Sequence, residues 1–214
     1  MIRAATAILV LLAAIAAAET LDRVSARVGK DAITDSALRR HLRMEAFFAR
    51  KAPELTAGSR RKAAERLIDQ ILIRRELELN RFAPPASADV EAQIMDLMKS
   101  HQEDAAALGA SLQSYGFSLD DLRGEILYQI MLLRFVEFRF SAGILVTDAE
   151  ISTAYEKEVV PEAHQRNVPP PTAEDAHESI VKLLTYRKTN AALEQWLAQA
   201  RQQVKIQIFE EAFR

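Results

Sequence analysis

RRKAAERLIDQILIRRELELNRF, residues 60–82, is the stretch whose reading decides the fold. Ala64, Leu67, Ile68, Ile71, Leu72, Arg75 and Leu79 fall on i, i+3/i+4 spacing. That periodicity predicts a long helix with one broad apolar face, running from Ser59 to about Arg81. The six basic residues between Arg60 and Arg75 lie mostly off the stripe and read as a solvated face.

Working outward, residues 115–150 read YGFSLDDLRGEILYQIMLLRFVEFRFSAGILVTDAE and predict a second long helix. Its apolar positions include Leu122, Ile126, Leu127, Ile130, Met131, Leu133 and Phe135, a face wide enough to meet more than one neighbour. Ser118 to Asp121 and Thr147 to Glu150 both have capping-box spacing, in which side chain and backbone satisfy each other at a helix start. Between the long helices, Pro84-Pro85 ends one element and Ser87 can cap the next, with Val90, Ile94, Leu97 and Met98 as its stripe. A short helix around Ala105 to Tyr115 ends at Gly116, which suits the left-handed position after a helix.

The two ends of the chain change period. Val24, Ala26 and Val28 alternate with polar residues, Gly29-Lys30-Asp31 is turn chemistry, and Thr34 is placed to cap a helix from Asp35. That helix carries Leu38, Leu42 and Phe47-Phe48 and stops before Pro53. Near the other end Val204, Ile206 and Ile208 alternate in the same way. A lone strand leaves backbone donors and acceptors unpaired, so the two are expected to pair, tying residues 23–28 to 203–209. Ile206→Pro is expected to remove a donor from that ladder. A short helix from Asp148 to about Val159 leads into residues 161–172, where four prolines predict a linker without regular helix. A long polar helix follows from about Ala173 to Gln203, and residues 210–214 read as a tail.

Met1-Ile2-Arg3, the nearly all-apolar Ala4 to Ala18 and the small residues Ala16-Ala17-Ala18 have the layout of a signal peptide, residues 1–18. A retained anchor is the alternative; the apolar run has 15 residues, where a span takes about 20. Removing it takes Arg3 and no acid, so the net charge moves from −2 to −3. A mildly acidic chain with interspersed signs lacks the basic face that nucleic acid requires. With no cysteine there is neither disulfide nor thiol chemistry. No two of His41, His101, His164 and His177 form an i, i+4 pair, and neither G-x-S-x-G nor a Gly-rich phosphate loop occurs. No catalytic residue, metal or cofactor is expected.

The ordered set of segments resembles the SurA-type periplasmic chaperones. DRVSARVGKDAITDSAL (22–38) looks like the family's opening strand, tight turn and capped helix, and LIDQILIRRELE (67–78) like its Leu-Ile-acidic helix. In YGFSLDDLRGEILYQIMLLR (115–134), Gly116, Phe117, Ser118, Leu122, Arg123 and Ile126 match its Gly-apolar-Ser-x-x-x-Leu-Arg-x-x-Ile signature. VTDAEISTAYEKE (146–158) resembles the helix that leads into a parvulin prolyl-isomerase domain, and ALEQWLAQARQQVKIQIF (192–209) the closing helix and strand. Two departures stand out. Asn80-Arg81-Phe82-Ala83 replaces the family's Ala-x-x-Gly, and only about forty residues separate Glu158 from Trp196, with no glycine after Gly143. The isomerase domain does not fit there.

The resemblance implies a mainly α fold, an irregular multi-helix module of the SurA N-domain or trigger-factor-like kind with a small β element. Residues 19–160 would be the chaperone module and 173–209 a helix and strand packing back on it, with 161–172 standing in place of the isomerase. It implies an ATP-independent periplasmic holdase for unfolded or partly folded exported polypeptides, outer-membrane β-barrel precursors above all. An envelope adaptor for one folded partner and a residual prolyl isomerase are the alternatives. Flexible Met and large aromatic side chains suit a surface that accepts many sequences. The client-binding candidates are accordingly Phe47, Phe48, Met95, Met98, Tyr115, Phe117, Tyr128 and Met131.

Overall fold

The computed structural model describes residues 22–214; the signal-peptide expectation falls outside them. The structure is mainly helical with one small antiparallel sheet. Strands β1 (Val24–Val28) and β2 (Asp31–Thr34) form a hairpin, and β3 (Ile206–Ile208) adds to the free edge of β1, giving the order β2-β1-β3. Arg27 faces Gln207 and Val28 faces Ile206, so the chain ends pair as their alternation predicts. One detail differs. Gly29 N donates to Lys205 O at 2.8 Å and Phe209 N to Ser25 O at 3.0 Å. Antiparallel bonding repeats every second residue, which makes Gln207 the bonded position and turns the Ile206 N–H outward. Proline at 206 therefore removes no ladder donor.

Helix α1 (Asp35–Phe48) starts at Thr34, whose hydroxyl accepts from Ala37 N. Helix α2 (Ala57–Leu79) follows, then α3 (Ser87–His101), α4 (Ala105–Ser114) and α5 (Leu119–Val136). Ser87 is the first helical residue of α3, not its cap; Ala86 precedes it in extended conformation with no side-chain bond. Both expected capping boxes form, Ser118 with Asp121 and Thr147 with Glu150. The Ser118 amide and hydroxyl and Arg40 all donate to the Asp121 carboxylate and hold its pKa at about 2.

α2 ends without glycine. Arg81 takes the left-handed φ of 50°, Arg81 N donates to Glu78 O, and Phe82 N to Leu77 O, the paired bonds of a Schellman closure. Arg50, Gln102 and Asn167 adopt the same sign of φ after their helices. Gly116 does so after α4, and Phe117 N returns to Leu112 O at 2.9 Å.

Four apolar clusters run through the molecule. The first joins the sheet to α1, α2 and the end of the last long helix, through Val28, Leu38, Ala64 and Ile68. Phe213 and Ala212 are buried in it from a 3₁₀ turn at Glu210–Phe213, so the expected tail is core. The second joins α1, α3, α4 and α5. The third stacks Phe135 against Phe82, Phe140 and Trp196, with ring centroids 5.7–6.1 Å apart and edge-to-face geometry. The fourth packs α6 (Asp148–Ala154) on α8 (Ala173–Gln202) through Ala154, Ala176 and Ile180.

Residues 161–172 are not wholly irregular. A π turn, Tyr155–Val159, passes into α7 (Val160–Gln165), and Val160 N reaches back to Tyr155 O. Pro161 sits in the first turn of α7, directly after the π turn. Only the stretch after it forms the connection, pinned where Tyr155 Oη donates to Pro171 O at 2.8 Å. α8 lies back on α2 through Arg201, which bridges Glu65 at 2.8 Å and Asp69 at 2.7 Å.

The basic residues of α2 do more than face water. Arg60 pairs with Asp35 at 2.6 Å, its side chain mostly covered, and Arg75 reaches Asp31 and the Val28 carbonyl. The Arg75 guanidinium lies 3.2 Å from where a Cβ on Gly29 would stand, and Gly29 has φ +58°. Glycine is favoured there on both counts. Leu79, counted on the apolar stripe, is exposed at the helix end.

Candidate functional site

A pair of clefts lies on either side of Phe48. The first, about 920 Å³, lies among α1, α2 and α5; the second, about 830 Å³, lies between α3 and α5. Phe48 and Gln129 line both, so the two clefts adjoin across a shared ridge. Phe48 occupies this ridge because it is the last residue of α1 and stands edge-on to buried Phe47, centroids 5.3 Å apart. Phe47 fills the core and Phe48 is left half out of it.

The first cleft mixes polar and apolar walls. His41, Glu45 and Phe48 come from α1, Arg66 and Gln70 from α2, Glu125, Tyr128 and Leu132 from α5. Glu45 accepts from Arg66 at 2.8 Å and lies 3.2 Å from His41 Nε2. Burial lowers the pKa of His41, and Arg66 adds to the effect against the pull of Glu45 and Glu125. The ring is therefore neutral at pH 7. Burial also pushes the Tyr128 phenol up to about 12. Its hydroxyl is buried with no hydrogen-bond partner, while the Arg74 guanidinium lies 4.7 Å above the ring. An unpaired buried hydroxyl costs about 1–3 kcal/mol.

The second cleft is more apolar at its floor. Ile126, Ile130 and Leu133 descend α5 at i, i+4, i+7 spacing, and Leu97 meets them from α3. Exposure rises along that line from the buried Ile126 to Leu133, 69% exposed. Gln93, Ser100 and Gln129 offer neutral polar groups around it.

Of the eight residues singled out from sequence, Phe48 and Tyr128 line the clefts. Phe47 (4% exposed) and Phe117 (4%) are core and are withdrawn as contact residues, because apolar periodicity marks an inward face without saying what covers it. Tyr128, at 6%, presents only a buried edge and its unpartnered hydroxyl. Tyr115 and Met98 pack on the second cluster, Tyr115 donating to Lys51 O at 3.0 Å. Met131 packs beside Phe135 and lines a smaller hollow near Arg74 and Phe82. Met95 is exposed at 53% and lines neither cleft. The residues missed from sequence are His41, Arg66, Gln70, Gln93, Leu97 and Gln129. The signal for the floor was present in the width of the α5 stripe, which runs from Ile126, buried against α3, to Leu133, left exposed.

Among the described residues no group of three or more His, Asp and Glu side chains is placed to hold a metal ion. Nor is any helix among them long and apolar enough to cross a membrane. Comparison with known protein families and with curated proteins finds no match to this chain.

Proposed function

We propose that the chain is an ATP-independent chaperone of the SurA N-domain kind, holding unfolded exported polypeptides in the clefts around Phe48. The observation that carries the reading is that the two clefts adjoin, sharing Phe48 and Gln129 as walls. Together they offer an apolar floor interrupted by amide, hydroxyl and charged groups. Such a surface accepts varied apolar side chains and satisfies main-chain groups at its edge, without reading a sequence. The order of motifs from Asp22 to Phe209 supports the same reading. Release then follows from modest affinity and from folding of the client, since holding by apolar contact consumes no nucleotide. The resemblance adds the periplasm as location and β-barrel precursors as clients, and on this reading the protein is no enzyme.

The test is light scattering from an unfolded β-barrel diluted out of denaturant. Near-stoichiometric protein without nucleotide is expected to suppress aggregation, and unaffected aggregation would end the proposal. A second reading, an adaptor for one folded partner, draws on Phe138, 74% exposed and stacked on Phe82 at 5.7 Å outside both clefts. A saturable complex with a native protein and no affinity for unfolded chains would favour it. A null result in a cis/trans peptide assay would dispose of residual prolyl isomerisation.

A further inference from the structure

Resting on the chaperone reading, we infer that the cleft between α3 and α5 selects polypeptide segments that carry Lys or Arg beside apolar residues. The floor stripe of α5 runs Ile126, Ile130, Leu133 and ends, one turn further, in Glu137. The apolar track thus leads directly to a carboxylate. Four charged side chains line this cleft, the acids Asp89, Asp96 and Glu137 and the base Arg134. Arg134 is taken up by Asp89 at 2.7 Å. Asp96 is met only by Lys99 of its own helix, at 3.4 Å and with both side chains well exposed, so the pairing contributes little. Glu137 has no ion pair among the described residues. Two uncommitted carboxylates therefore rim an apolar floor. A Lys or Arg side chain can lay its aliphatic stem on Leu133 and Ile130 and bring its head to that rim. The first cleft lacks this bias: Lys51, Lys62 and Arg66 stand against Glu45, Glu54 and Glu125.

The experiment is fluorescence anisotropy of the full chain with three labelled unfolded peptides of equal length and apolar content, flanked by Lys, Ser or Glu. At low salt the Lys-flanked peptide is expected to bind about fivefold tighter than the Ser-flanked one and the Glu-flanked peptide weaker still. The order should collapse in about 0.5 M salt, where the screening length falls to a few ångströms. Asp96→Lys with Glu137→Lys, two changes outside the core, should reverse the order. Leu133→Ser should weaken all three peptides alike. Equal binding of the three, or a Lys preference surviving the double substitution, overturns the inference while leaving the chaperone reading intact if aggregation is still suppressed. Self-association abolished by Glu137→Lys would assign the cleft to a second copy of the chain and overturn it too. Loss of peptide binding together with absent aggregation suppression removes both.

Discussion

At the scale of single residues, Tyr128 and His41 carry the chemistry of the first cleft. The Tyr128 hydroxyl has no partner in the folded chain, so its desolvation is uncompensated. Tyr128→Phe is expected to raise the thermal midpoint by about 2–4 °C, the equivalent of about 1 kcal/mol in a chain of this size. Scanning calorimetry checks this, and an unchanged or lowered midpoint would contradict it. His41 titrates with the same sign as a salt-bridged carboxylate, losing stability as pH falls, but in a window nearer neutrality. Burial holds its folded pKa below the ordinary 6.5, so as pH falls through 6.5 the unfolded chain takes up a proton first. Stability contributed by the neutral ring is complete above pH 6.5 and declines below it until the folded ring also protonates. Glu45, Arg66 and Glu125 face the ring from α1, α2 and α5. His41→Gln should therefore reduce the fall in thermal midpoint between about pH 7.5 and pH 5.5. An undiminished fall would place the titration elsewhere.

At the scale of elements, what was legible followed from local chemistry. Thr34, Ser118 and Thr147 cap helices because a hydroxyl and an amide three residues apart decide the matter alone. Gly116 was legible for the same reason. The closures at Arg50, Arg81, Gln102 and Asn167 were not, since each puts a side chain where glycine is the usual signal. Those residues hold a left-handed backbone at a cost of about 1–2 kcal/mol. Arg81→Gly is expected to relieve part of it and raise the midpoint by about 2–4 °C, as scanning calorimetry would show. The π turn before Pro161 was equally hidden, since the prolines after it read as a linker. The strand pairing was predicted at the right residues with the wrong donor. Gln207→Pro, with its side chain exposed and its N–H on the ladder side, should lower the midpoint by about 5 °C or more. An unchanged midpoint would mean that β3 does not hold the end of α8.

At the scale of the whole molecule, α8 is the connecting beam. Its first half carries α6, Trp196 enters the aromatic cluster under α5, and Arg201 clamps α2 before β3 closes the sheet. The mainly helical class and the joined termini could be read from period changes at each end. The candidate site could not, because which face of α5 remains uncovered depends on three other helices. Phe47 and Phe48 are neighbours in sequence, yet one is core and the other is the ridge of the site. No composition rule separates them. The separation comes from α1 ending where it does, with Lys51 N bonded to Ala46 O and Arg50 turning the chain away.

The central claim is that unfolded chains lie across Phe48, in both clefts at once. A photo-reactive side chain placed in turn at Gln129, Gln93, Gln70 and the exposed Lys182 of α8 tests it directly, with an unfolded β-barrel precursor as client. Strong crosslinks from the three glutamine positions and background from Lys182 are expected, with all of them diminished by Phe48→Asp. Equal labelling at Lys182, or labelling indifferent to Phe48→Asp, would contradict the account.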